Sequence, residues 1–481
     1  MEATIGLEVH VHLTTASKLF CGCPTGEAEP NVNTCPICLG YPGSKPMVNV
    51  RAVEQGVLVA LALDCRLAPH VRFSRKSYFY PDMPKNYQIT QYDEPLGTGG
   101  YVQLGGRRIR VRRVHLEEDP AKLVHVGGGI TNARYTLIDY NRAGVPLVEI
   151  VTEPDIRDTA EARAFLEKLG LVLDHLGVYD PSGEGSLRVD ANVSVEGGSR
   201  VEVKNITGFR NVERALSYEA VRQRSASSMG LDVSRETRHF DAATGATVSL
   251  RKKEMEDDYG YIVEPDLVRI NLKPGWVEQI ASRMPELPDR RIRRLAEQYG
   301  VSGFQSGVIV NSGFAMSRFY EECCSMYGDP VKVASWLVTY LMKSLNYMGL
   351  SLRESRVRPG TFVELLELID EGVISERLAK ELVKEYVETG ASPRLLVEQR
   401  GLGLMGPDEL RPVVAAVVAE YPRAAEDYVA GRVKAVEYLL GQVLRRVEAR
   451  ARPEQVRSLL LEELDRRGKC LGSSVGRAPD C

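Results

Sequence analysis

The strongest constraint on the fold is a change of periodicity partway along the chain. Before Met284-Pro-Glu-Leu-Pro-Asp289, short runs alternate apolar and polar residues between Gly and Pro turns. After it, nearly every stretch repeats at helical spacing. Period two marks a strand with one buried face, and period 3.6 marks an amphipathic helix. The two prolines of the segment interrupt either element. Such a chain is expected to be α+β, with a mixed-sheet domain over 1–285 and helices from 286 onward. A second, softer boundary is expected in the Gly- and Pro-bearing stretch Ser392–Pro407. It divides a helical domain, 286–394, from a small helical tail domain, 395–468. Three domains also suit 481 residues, at roughly 150 residues each. Residues 469–481 break the helical pattern and are expected to be a disordered extension; GSSVGRAPD within them resembles a translated tRNA gene.

Three strands stand out. In Ile5–Leu13, residues Ile5, Leu7, Val9, Val11 and Leu13 take one face and leave Glu8, His10 and His12 on the other. Leu187–Val195, a Gly-rich turn at 196–199 and Arg200–Ile206 read as a hairpin, with Arg188, Asp190 and Asn192 on one face. Arg107–Val114 is the third. Thr159–Leu176 reads as a helix through Phe165, Leu169, Val172 and Leu176.

Composition excludes several classes. The 62 basic and 65 acidic residues give a net charge of −3, unlike a globally basic nucleic-acid binder. Ten basic and six acidic residues between 431 and 469 make the tail locally basic, which an ordinary solvated helix face also explains. No apolar run reaches the ~18 residues of a membrane span, and the N-terminus lacks the pattern of a secretory leader. Nine cysteines in a chain of this length do not form a disulfide framework, so a reducing, cytoplasmic setting is expected.

Four of those cysteines share a pattern. Cys21-x-Cys23, eleven residues, then Cys35-x-x-Cys38 can place four thiolates around a tetrahedral structural zinc, with Pro and Gly supplying the turns. Two unrelated buried pairs are the plainer alternative. Cys65, Cys323, Cys324, Cys470 and Cys481 lack such spacing.

Acids form the second constellation. Glu8 and His10 share a strand face, Glu117-Glu118-Asp119 follows an Arg-rich strand, and Asp190 lies on the polar face of the hairpin. Gathered carboxylates repel one another unless a cation joins them, and Mg²⁺ takes oxygen ligands. Solvated acids at strand ends are the common alternative. His12 has no carboxylate beside it in sequence and reads as a surface or core histidine. The loop Arg75–Gln88 mixes cations with tyrosines, as a phosphate- or nucleic-acid-binding loop or a plain surface loop would. Gly401-x-Gly403-x-x-Gly406 follows a helix, not a strand, and Gly472-x-Ser474-x-Gly476 lies in the tail, so both motif matches are decoys. No Walker A sequence occurs.

Longer motifs then carry a resemblance. Leu137-Ile-Asp-Tyr-Asn-Arg-Ala-Gly-Val-Pro-Leu-Val-Glu-Ile-Val-Thr-Glu-Pro-Asp155 resembles the signature of the B subunits of aspartyl/glutamyl-tRNA(Asn/Gln) amidotransferases. Ile5–His10, Tyr78–Asp82, Leu116–Asp119, Ser186–Asn192, Glu202–Asn205, Glu236–Arg238, Glu264–Asp266 and Gly441–Val443 match in order, over about residues 2–468. The resemblance implies a cradle-shaped kinase and transamidase domain, a helical domain and a tRNA-binding tail. It implies ATP-dependent phosphorylation of mischarged Glu-tRNA(Gln) or Asp-tRNA(Asn), followed by amidation with channelled ammonia. Glu8, His10, Glu117 and Glu118 are then expected to hold Mg²⁺, with Asp190 nearby. Lys76, Asp82 and Lys85 are expected along the ammonia route. The four cysteines match the zinc-bearing branch. The implied partners are an amidase A subunit, a small C subunit and mischarged tRNA, and the resemblance also admits the mischarging synthetase.

Three rivals differ in class, and the first, a glutamine-dependent amidase, would need a nucleophile of its own, which no motif here supplies. The related E-type subunit carries a large insertion, for which the 18 residues between Asp266 and Pro285 leave no room. A zinc-containing RNA-binding protein without catalysis would have no use for the acidic cluster.

Overall fold

The computed structural model describes residues 3–127, 133–183, 185–195, 198–252, 259–448 and 450–473. The chain divides into two compact units, Met1–Arg290 and Arg291–Cys481. Among the described residues no helix is long and apolar enough to cross a membrane.

The first unit is built on a mixed sheet of nine strands: β1 (Ala3–His12), β2 (Arg66–Leu67), β3 (Gly97–Leu104), β4 (Arg107–Glu118), β5 (Pro146–Thr152), β6 (Leu187–Val195), β7 (Val201–Thr207), β8 (Glu236–Asp241) and β9 (Ala246–Lys252). Their spatial order is 9-8-7-6-1-5-4-3-2. Among the described residues of this sheet, only β7 and β8 run parallel. The first strand therefore lies in the interior, between β5 and β6. Its alternation is realised in full, since Ile5, Leu7, Val9 and Val11 are all buried.

Three helices cover the apolar face: α1 (Val50–Ala62), α2 (Thr159–Leu176) and α3 (Phe209–Ser228). Asn49 caps α1 by accepting from the amides of Arg51 and Ala52, and Asp158 caps α2 by accepting from Glu161. Gly56 lets α1 lie close on the sheet, because a Cβ there would meet Leu96 at 2.8 Å and Leu116 at 3.0 Å. The opposite face of the central strands is left to polar side chains.

Strand β4 departs from expectation in one consequential way. The sequence pattern ended it at Val114; it runs through Glu118, held by β5 in the register Pro146↔Glu118, Leu147↔Glu117 and Glu149↔His115. Residues 115–118 are thus part of a strand, not an acidic run beyond it.

The second unit is helical. From Gly303–Asn311 to Pro393–Arg400, its helices pack about Tyr320, Phe362, Leu366 and Tyr386. Pro407–Glu420, Pro422–Val429, Ala435–Arg446 and Pro453–Ser473 enclose a separate group of buried residues, among them Val417, Leu439, Val456 and Leu460. The boundary expected near 395 falls inside this unit, and the stretch with the decoy glycines 401, 403 and 406 links two helices. The helical pattern does not break at 469, because the last helix continues to Ser473; residues 474–481 lie outside the described residues.

Candidate functional site

The polar face of β1, β4, β5, β6 and β7 assembles the site. Antiparallel pairing sets Glu8 opposite Asp190, and His10 opposite Glu149 and Arg188. Side chains directly opposite one another share a face. Two donor groups result, His10 with Glu117 and Glu149, and Glu8 with Asp190 and Glu202. Within each group the donor atoms all lie within 4.8 Å of one another.

In the first group, His10 Nε2 is 3.4 Å from Glu149 and 3.8 Å from Glu117. Behind it, His115 Nε2 is 3.2 Å from the same Glu149 and 3.7 Å from Glu117. The Thr90 hydroxyl donates to Glu117 at 3.2 Å. In the second group, Lys204 Nζ donates to Asp190 at 3.1 Å and lies 3.9 Å from Glu202. Asn192 donates to Glu8 at 3.1 Å, and Thr237 to Glu202 at 3.2 Å. A bulge between β6 and β7 frees Asp190 to accept from the amide of Asn205 at 2.7 Å, with Asn205 at φ 53°.

The electrostatics ask for positive charge. Burial, then Glu149, Asp190 and Glu202, raise the Glu8 carboxyl above its ordinary value. Burial disfavours the imidazolium of His10, but its hydrogen bond to Glu149 and the charges of Glu149, Asp190 and Glu117 raise it to about 9. His115 is raised in the same way, chiefly by Glu149 against burial. Burial works against the Asp190 carboxylate, and Lys204 and then His10 hold it below its usual range. Five buried or half-buried carboxylates face Lys204 and Arg188 here, Arg188 is already paired with Asp119, and two imidazoles draw protons to balance the rest. A divalent cation would supply the same charge and displace those protons. Glu117, Glu149 and His10 have the donor chemistry to hold one, with waters completing the shell.

Not every expected residue joins this cluster. Glu8, His10, Glu117 and Asp190 do, whereas Glu118 faces the other way, as adjacent residues in a strand must. Its carboxylate pairs with Lys85 and accepts from the amide of Ile89 at 2.8 Å. Lys85 is thereby fixed against the cysteine knuckle, beside Gly40 and in a small cavity shared with Cys38 and Gly144. Lys76 leads from the short strand Ser74–Ser77 to the rings of Tyr259, at 4.6 Å, and Tyr78, at 5.9 Å. Asp82 lies half-buried, with Oδ1 unpaired and its carboxyl raised above the ordinary value by burial.

His12 is not the bystander that sequence suggested. Its Nε2 is 2.6 Å from Asp119, which also pairs with Arg188 at 2.5 Å and Arg142 at 3.3 Å. His115 heads the acidic run, and Glu149, Glu202 and Lys204 stand inside the matched motifs, but the sequence assigned none of them a role. The missed signal was a lone acid within an apolar strand: Glu149 in Pro146–Thr152, and Glu202 between Val201 and Val203.

The four cysteines do come together between β1 and α1. Their sulfurs lie within 4.8 Å of one another, with Cys35 and Cys38 at 3.9 Å. A tetrahedron with Zn–S of about 2.3 Å has edges of ~3.8 Å, so the set fits a structural zinc. The amide of Cys35 points at the Cys38 sulfur from 3.2 Å. A hydrogen bond within the set, from Cys21, brings the Cys38 thiol down to about 4 despite burial. Cys65 and Cys323 are buried among apolar residues, one in each unit.

Comparison with known proteins agrees with this architecture. Residues 3–278 match the GatB/GatE catalytic domain family, and residues 318–464 match the GatB domain family. The B subunit of an aspartyl/glutamyl-tRNA(Asn/Gln) amidotransferase from Saccharolobus solfataricus is 44% identical over 470 residues, covering 96% of this chain and 99% of that protein. The chain belongs to the family of amidotransferase B subunits. Its resemblance to the family extends across both units. The corresponding B subunit of Methanospirillum hungatei is 45% identical over 97% of this chain and 99% of its own length. That of Thermotoga maritima is 43% identical over 96% and 98%.

Proposed function

We propose that the chain is the kinase and transamidase subunit of a tRNA-dependent amidotransferase acting on Glu-tRNA(Gln), Asp-tRNA(Asn) or both. The side-chain carboxylate of the mischarged amino acid attacks the γ-phosphorus of ATP, ADP leaves, and an acyl phosphate forms. Ammonia attacks the acyl carbon and loses a proton. The C–O bond to phosphate then breaks, releasing phosphate and leaving the amide. Two poorly reactive partners are joined because phosphate is a better leaving group than oxide.

The observation that carries this reading is the pair of buried donor groups side by side on one sheet face. Mg²⁺, held by His10, Glu117 and Glu149, would neutralise charge on the nucleotide phosphates. Glu8 and Asp190 border that position, and Lys204 keeps Asp190 ionised while offering a positive charge to phosphate oxygens. Arg188 and His12, clamped by Asp119, stiffen the adjoining floor. Lys85 and Asp82 belong to the ammonia route together with Lys76. The unpaired oxygen of Asp82 gives an ammonium ion a place to leave its proton. The four cysteines hold zinc as a structural brace. Ammonia comes from an amidase A subunit, with a small C subunit completing the complex. The locally basic tail contacts tRNA phosphates.

The test uses the assembled complex and mischarged tRNA. In E149Q, tRNA-dependent ATP cleavage falls on the order of 100-fold or more, while tRNA still binds. Unchanged turnover in E149Q overturns the site. Binding of tRNA without any ATP cleavage in the unmodified complex favours a non-catalytic, zinc-containing RNA-binding protein instead.

A further inference from the structure

Lys18 is wholly buried, at 0% exposure. Its ammonium reaches two acceptors, the carbonyl of Tyr140 at 3.2 Å and the sulfur of Cys38 at 3.6 Å. Among the described residues no carboxylate forms an ion pair with it. A carbonyl satisfies a hydrogen bond but does not balance a charge, and a buried ammonium without a counter-charge is costly. Glu118 lines the same small cavity, but its carboxylate is paired with Lys85, so the counter-charge that the Lys18 ammonium reaches is a thiolate. Four thiolates about a divalent metal carry a net charge of −2, and one ammonium halves it.

The backbone is arranged for this approach. Gly144 sits at φ +89°, and a Cβ there would lie 3.3 Å from Lys18 Cδ and 3.5 Å from Cys38 Cβ. It makes room for the lysine stem beside the cysteine. The amide of Lys18 donates to Cys23 at 2.9 Å, and that of Leu19 donates to Gly144 at 2.8 Å. Lys18 is thus tied both to the knuckle and to the loop that runs past it.

We propose that Lys18 is the charge partner of the four-cysteine knuckle, a positioning residue that acts on bound zinc through Cys38 without touching the ion. Donation to a metal-bound thiolate offsets its charge and slows the protonation with which metal release begins. The inference rests on the knuckle's holding zinc, and the zinc content of the unmodified chain tests that separately.

The experiment uses the full chain purified without chelators, with zinc counted by elemental analysis and its release followed against excess chelator. K18M keeps the length of the side chain and removes its charge, and K18Q keeps a polar head without charge. Running both preserves the comparison if one fails to fold. Both should release zinc on the order of 10–100-fold faster than the unmodified chain. K18R, which keeps the charge, should return most of the retention. The thiolate-to-metal absorption of the cobalt-loaded chain should shift in K18M. Release rates and absorption unchanged in zinc-bearing K18M and K18Q would overturn the role of Lys18. An unmodified chain with no zinc would overturn the knuckle itself.

Discussion

Replacing Glu118 by Gln should destabilise the first unit by about 3–5 kcal/mol. The side chains of Lys85 and Glu118 are only 7% and 4% exposed. Losing the carboxylate leaves a buried ammonium with no counter-charge, the costly way to break such a pair. Gln keeps the volume and the oxygen that accepts from Ile89 at 2.8 Å, so packing and hydrogen bonding survive and the charge alone is removed. At about 2–4 °C per kcal/mol in domains of comparable size, melting should fall by roughly 6–20 °C. K85M strands the carboxylate instead and should cost a similar amount. The double variant removes both charges. It should be more stable than the summed singles by a coupling of about 2–3 kcal/mol. Trp276 lies in the first unit and Trp336 in the second, so fluorescence of the set in a W336F background reads the first unit alone. Singles melting within 2 °C of the unmodified chain, or summing to the double, would refute the argument (the 2 °C threshold being about the shift from 1 kcal/mol).

Three further outcomes follow. Gly40 has φ +70°, and a Cβ there would lie 2.4 Å from Lys85 Cγ, so G40A should cost about 1–3 kcal/mol and displace Lys85; an unchanged denaturation midpoint would count against it. Burial opposes ionisation of Asp119, yet Arg188, His12 and Arg142 hold its carboxyl well below the usual carboxylate range. Its folded value therefore lies under the unfolded ~3.9, so its stabilisation is complete above that pH and is lost as pH falls toward the folded value. Denaturation midpoints measured from neutral pH into acid should decline more steeply in the unmodified chain than in D119N, and parallel profiles would sink the assignment. E149Q, unlike E118Q, should lose ATP cleavage with its melting temperature nearly intact, because Glu149 meets a second imidazole and other acids rather than a lone buried cation; a large loss of stability would make its role structural.

What the sequence disclosed and what it hid have one physical cause. A strand's own alternation is local, so Glu8, His10 and His12 could be placed on one face of β1, and Arg188, Asp190 and Asn192 on one face of β6, before any fold was known. The cysteine knuckle was legible for the same reason, since all its turns lie within a short stretch. Register between distant strands is not local. Glu149 meets His10, and Asp119 meets His12, only because β1 pairs with β5 and β5 with β4. Glu118 shows where a local rule was available and went unused. His-Leu-Glu-Glu has little intrinsic preference for a strand, and pairing with the apolar β5 makes it one. Once it is a strand, Glu117 and Glu118 must part, one toward the carboxylates and the other toward Lys85. Two neighbouring acids that look like one metal-binding pair are therefore two devices on opposite faces of a single sheet: an acid in the donor cluster, and half of a buried ion pair.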